Sequence, residues 1–125
     1  MSHARLTVLL AFAMLAAAAI PAVAPGSILP AAGFYTGYDS HKNFVRFYYS
    51  SHKRLLENIE IGGEHFGNAT VQGSQWHHTC NGYRRDRCTR GSWTARHHVS
   101  GIWNDPNQGG DVHFNAVWKG NTIAP

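Results

Sequence analysis

The chain of 125 residues sets 11 Lys or Arg against 7 Asp or Glu, with 9 His, for a formal charge of +4 at neutral pH. That length makes one small domain, near the size where burial on folding is marginal, and rarely builds a deep pocket. The positive balance draws the protein toward anionic surfaces (lipid head groups, wall polymers, nucleic acid) without saying which.

The chain begins MSHARLTVLLAFAMLAAAAIPAVA. Arg5 is followed by an uncharged, apolar-rich run from Leu6 to Ile20, and Ala22-Val23-Ala24 fits the small-x-small pattern read by signal peptidase. Residues 1–24 are therefore expected to be a helical secretory signal peptide, removed on export. The run is short for a transmembrane helix, an uncleaved anchor being the alternative. Pro25 is awkward for cleavage after Ala24, which leaves the cut open between Ala22 and Ala32, and residues 25–32 are expected to be a loose leader to a domain over 33–120. Cleavage removes His3 and Arg5 and leaves ten basic side chains, seven acidic ones and eight histidines in a secreted, extracellular protein. Below roughly pH 6 those imidazoles protonate and the charge climbs.

No helical period survives past the signal. Short runs rich in β-branched and aromatic residues predict strands at 44–50 (FVRFYYS), 55–61 (LLENIEI), 68–76 (NATVQGSQW), 91–99 (GSWTARHHV) and 111–118 (DVHFNAVW). Alternation assigns faces. Val45, Phe47 and Tyr49 point to the core, and Phe44, Arg46 and Tyr48 away from it. Leu55, Ile59 and Ile61 share a side, as do Trp93, Ala95, His97 and Val99, and Val112, Phe114, Ala116 and Trp118. Turn signals stand at Gly62-Gly63, Asn81-Gly82, 104–110 and 119–121. Five or six short strands with regular breaks predict an all-β fold, a small antiparallel β-sandwich.

Cys80 and Cys88 are the only cysteines. In an exported chain they read as a disulfide that pins a short loop, worth at or below about 2–4 kcal/mol; a metal pair or two free thiols are the alternatives. The stretch YRRDRCTRGSWTAR carries Arg84, Arg85, Arg87, Arg90 and Arg96 with Asp86 as its one acid, and the two cysteines bracket its first part, with Arg84, Arg85 and Arg87. Guanidinium forks match phosphate and pyrophosphate oxygens bidentately, and a pinned loop lowers the ordering cost of binding. Arg84, Arg85, Arg87 and Arg90, with Tyr83 and Trp93 as aromatic neighbours, are thus the candidate site for an anionic ligand. The same cluster also reads as a solvated basic turn.

Other chemistry finds less support. His77-His78 and His97-His98 lie on predicted strands, where neighbours point to opposite faces, so neither pair offers two rings to one metal. No metal or other cofactor is expected. No nucleophile elbow surrounds a serine and no paired carboxylates stand in an apolar setting, so the chain reads as a non-enzyme. No nucleic-acid motif accompanies the basic charge, and a nucleic-acid partner is not expected. Asn68-Ala69-Thr70 matches the N-glycosylation pattern.

GFYTG (33–37), FYYSSHK (47–53), NATV (68–71), TRGSWTA (89–95) and VHFNAVW (112–118) occur in an order that resembles the lactococcin 972 family of small secreted bacteriocins, over most of residues 33–118. Tyr35 stands where Trp is usual in that family. Residues 53–67 look like an insertion, and the two cysteines and the arginine-rich loop are extra. The resemblance implies a two-sheet β-sandwich and an antibacterial protein that binds the cell-wall precursor lipid II and blocks septum formation. It brings no set of binding residues with it. The expected partner is an anionic cell-wall precursor or envelope surface, with homo-oligomerisation open. The alternative is a non-toxic secreted β-sandwich with a binding or structural role.

Overall fold

The computed structural model describes residues 28–80, 82 and 85–122. Eight strands follow in chain order: β1 (Gly33–Asp39), β2 (Phe44–Ser50), β3 (Leu55–Ile61), β4 (Glu64–Thr70), β5 (Gln75–Cys80), β6 (Cys88–Ala95), β7 (His98–Asp105) and β8 (Gly110–Gly120). A short 3-10 turn, Pro106–Gln108, leads into β8. The strands form one antiparallel sheet in the order β4-β3-β2-β1-β8-β7-β6-β5. It consists of two four-stranded meanders joined where β1 pairs with β8. The edge strands β4 and β5 approach one another, so the sheet curls into a nearly closed, barrel-like sandwich. The fold is all-β, as the alternation requires.

The core lies inside this curl. Val45, Phe47 and Tyr49 of β2 are buried, while Phe44 and Arg46 face solvent. Val112, Phe114 and Ala116 of β8 face the same interior. Each fully buried Val, Leu, Ile or Phe contributes about 1.5–3 kcal/mol. Tyr35, Phe47, Tyr49, Trp76 and Trp93 form the aromatic centre; the Tyr35 and Phe47 rings stack at 5.2 Å, and Trp93 meets Tyr35 edge-on at 5.8 Å. Burial pushes the pKa of the Tyr35 phenol up, against the opposing hydrogen bond from Trp93.

Two glycines make room for the rings. Gly91 of β6 and Gly101 of β7 are paired neighbours, flanked by Trp76 on β5 and Phe114 on β8. A Cβ on Gly91 would overlap the Trp76 ring, and one on Gly101 the Phe114 ring. With no side chain on either strand, the two rings lean inward over bare backbone, 6.4 Å apart.

In β3 the buried set is Leu56, Ile59 and Ile61, with Leu55 only partly covered. This corrects the expected face. Asn58 has φ +54, and three steps along β3 (Leu56 to Ile59) oppose two along β4 (Ala69 to Gly67), which is a bulge. The extra residue moves Leu56 onto the side of Ile59. Asn tolerates the left-handed region, and the Asn58 N–H, lost to the ladder, donates to Asn68 Oδ1 at 3.0 Å.

Two predicted strands are broken. The run 68–76 turns back at Gln72–Gln75, with Gly73 at φ +64, so its halves belong to β4 and β5. The run 91–99 is a hairpin whose arms pair Ala95 with His98 across a turn of Arg96 and His97. His97 therefore does not share a strand face with Trp93; it stacks on Trp118 at 4.8 Å.

The signal peptide expected over 1–24 lies outside the described residues. Of the expected loose leader, residues 28–32 are tied to the domain. Ile28 packs on the core, the Ala31 N–H donates to Arg96 O at 3.0 Å, and Trp118 Nε1–H donates to Ala32 O at 2.9 Å.

Buried Asp39 closes the β1–β2 turn. Its carboxylate accepts from His41 N–H, Asn43 N–H, the Asn43 side chain and Trp103 Nε1. Burial alone would raise its pKa. The donated hydrogen bonds, those of Asn43 foremost, outweigh that and hold it below the ordinary carboxylate value.

Candidate functional site

Cys80 and Cys88 face each other in the β5–β6 ladder and form a disulfide. The root of the arginine-rich segment is fixed further. Arg87 is 7% exposed and lies between Glu64 of β4, with which it pairs through Nη1, and Asp105 of β7, 3.8 Å from Nη2. The Cys88 N–H donates to Asn104 Oδ1 at 2.8 Å, and Asn104 Nδ2 donates to Asp86 O. Arg87 is thus a buried ionic tie across the sandwich and not a hand for a ligand, which corrects one expected site residue. Charges removed from water need such partners.

Trp93 is a second correction. β6 alternates Thr89, Gly91 and Trp93 inward with Arg90, Ser92 and Thr94 outward, and Trp93 is 2% exposed in the core. Its indole donates to Tyr35 Oη at 3.0 Å, so no face is free to stack on a ligand. Tyr83 and Arg84 lie outside the described residues. Arg85 is exposed in the turn before β6, and Arg90 points outward from β6 with its side chain about half exposed. Arg90 Nη2 lies 3.6 Å from Asp111 Oδ2. A pair this exposed contributes at most about 1 kcal/mol and exchanges readily for a ligand anion.

Arg90 borders a cavity of about 340 Å³ on the outer face of the sheet, lined by Gln75, His77, Ser92, Ser100 and Ile102 among others. Register explains the hollow. Gln75, Ser92, Ser100, Asn115, Tyr38 and Phe44 stand in one cross-strand row over β5, β6, β7, β8, β1 and β2. Short Ser92 and Ser100 lower the row beside long Arg90 and Ile102, which pair across β6 and β7 in the next row. Five steps of about 4.8 Å carry the row some 24 Å around the outside. It ends on Tyr38 and Phe44, which are 62% and 45% exposed and meet edge-on at 5.7 Å. A second hollow of about 360 Å³ shares Gln75 and His77 and adds Asn68, Thr70, Gln72 and Thr79, at the seam between β4 and β5.

The outer face therefore offers the Arg90 guanidinium at one end, neutral hydrogen-bonding side chains between, and aromatic rings at the other. Those types suit a ligand with an anionic head and a hydroxyl-rich body. Gln75, Ser92, Ser100, Asn115 and Tyr38 carry no motif, and only the pairing register unites them. Among the described residues no three His, Cys, Asp or Glu side chains gather as a metal site, and no helix is long and apolar enough to cross a membrane. Compared with known proteins, the chain matches no family model, no curated protein and no solved structure.

Proposed function

We propose that this is a secreted, non-catalytic protein that binds a phosphorylated glycolipid precursor of the bacterial cell wall, and that it acts as an antibacterial protein of the lactococcin 972-like kind by withholding that precursor from septum formation. The observation that carries the reading is the position of Arg90 at the head of a hollow lined by Gln75, His77, Ser92 and Ser100. Arg90 and Arg85 take the pyrophosphate oxygens in this reading. The neutral side chains take sugar hydroxyls, and the disulfide holds the basic turn against the sheet before the ligand arrives.

The test is a calorimetric titration of the exported form with lipid II in detergent micelles, and with the same micelles alone, beside a growth-inhibition spot assay. Binding should fall about tenfold or more when Arg85 and Arg90 are both changed to Ala, the loss of one or two charge-assisted hydrogen bonds. Unchanged binding in that double variant, with its fold intact, overturns the reading.

A further inference from the structure

A different hollow lies on the outer face of the other meander. It has a volume of about 180 Å³ and is lined by Phe34, Arg46, Phe47, Tyr48, Glu57 and Asn58. Its origin is the β3 bulge. In a regular strand Glu57 and Asn58 would point to opposite faces. The left-handed backbone of Asn58 lets both border the same hollow, and the register beside it skips from Arg46 opposite Glu60 to Tyr48 opposite Glu57. Bulges that re-aim side chains in this way gather near functional sites.

The wall opposite is aromatic. Phe34 and Tyr48 are paired across β1 and β2, with centroids 4.8 Å apart and planes at 64°. In this edge-to-face pair the edge of one ring covers a face of the other, and both rings leave aromatic surface open to the hollow. Three planar polar groups stand around it. Arg46 reaches Glu60 at 2.9 Å, and Glu57 meets Lys53 at 3.3 Å; both bridges are solvent-exposed on their basic side. Such pairs are weak and yield to a ligand.

We propose that this hollow binds a single pyranose ring of a neutral glycan. Its volume is below the roughly 300–1,000 Å³ of sites for drug-sized ligands, so it takes one ring. A pyranose has an apolar C–H face, which lies on the open aromatic surface, and a rim of hydroxyls, which Arg46, Glu57 and Asn58 meet as donors and acceptors. A quaternary ammonium ion, the other ligand that aromatic walls recognise, is held through ring faces without hydrogen-bond partners, whereas Arg46, Glu57 and Asn58 make half of this lining polar. An anion is disfavoured by Glu57 at the rim. The site is separate from the hollow beside Arg90 and does not depend on the function proposed above.

The experiment is a chemical-shift titration of the ¹⁵N-labelled protein with phosphate-free maltotriose, chitotriose and mannotriose, and with choline chloride. At least one trisaccharide should shift the amides of Phe34, Arg46, Tyr48 and Asn58 saturably while those of Arg90 and Ser92 stay still. Tyr48→Ala should weaken that binding about tenfold, or 1.4 kcal/mol. Tyr48→Phe should keep it. Asn58→Gly, which preserves the left-handed turn of the bulge and removes the amide, should weaken it without loss of the native spectrum. Arg90→Ala should leave it unchanged. The proposal is overturned if no trisaccharide shifts these amides, if choline shifts them and the sugars do not, or if a natively folded Tyr48→Ala binds as the parent does.

Discussion

The Trp93 indole donates to the Tyr35 hydroxyl at 3.0 Å, and the same hydroxyl lies 2.7 Å from Ala31 O, to which it donates. This chain of bonds ties β6 through β1 to the residues that precede the first strand. Tyr35→Phe keeps the ring and leaves the buried Trp93 N–H without its acceptor, at a cost of about 1–3 kcal/mol. Trp76 provides the contrast, because its buried Nε1 has no hydrogen-bond partner among the described residues. In chemical denaturation, Trp93→Phe should therefore cost more than Trp76→Phe, although both remove the same atoms. An equal or reversed order would show that this hydrogen bond contributes nothing.

Asp39 makes stability depend on acid. Its pKa is lower in the folded state than in the unfolded chain, where it is about 3.9. Its contribution is therefore fully present above that unfolded value and is lost as pH falls through the lower, folded value. Asp39→Asn should flatten this part of the stability–pH curve, measured by urea unfolding at a series of acid pH values. Tyr35 and Tyr49 act at the alkaline end. Burial raises both phenols, so their contribution is complete below the unfolded value near 10 and is lost as pH rises through the higher folded values. NMR titration should place both above the ordinary tyrosine range.

The arginines of the basic segment should separate cleanly. Arg87→Ala leaves Glu64 and Asp105 without the cation between them and should destabilise the fold by about 3–5 kcal/mol. Arg90→Ala should shift stability by no more than about 1 kcal/mol and act on ligand binding. Thermal unfolding of the two variants, side by side, decides this.

Gly91→Ala and Gly101→Ala each drive a methyl group into a ring, Trp76 or Phe114. Overpacking of this kind costs about 1–3 kcal/mol. Calorimetric melting should show both variants destabilised, and a melting point equal to that of the parent would mean that the rings move aside freely.

Much of the fold is written in local pattern. The bounds of β2 and β3 follow from β-branched and aromatic residues between breakers, and both are met to the residue. β1 and β7 escape the same reading for a physical reason. The inward positions of β1 are Gly33, Tyr35, Gly37 and Asp39, and those of β7 are Val99, Gly101, Trp103 and Asp105. Glycines that admit rings and acids that accept hydrogen bonds occupy places where an apolar stripe is sought. The hairpin at Arg96–His97 has neither Gly, Pro nor Asn to announce it. In the candidate site, the disulfide follows from a lone pair of cysteines in a chain read as exported, and it is present. The burial of Arg87 does not follow, because its acidic partners come from β4 and the end of β7.

The pairing of β1 with β8 sets Phe34 opposite Gly120, so the first and last strands lie side by side. β4 and β5, consecutive in the chain, share no ladder. A circular permutant that links the end of β8 to residue 28, keeping residues 28–32 ahead of β1, and opens the chain near Gly73 would keep all seven strand pairings and would interrupt the bridge between Gln72 and Gln75. The architecture thus has an interchangeable start, and a tag or fusion partner could be carried at that turn without interrupting a ladder.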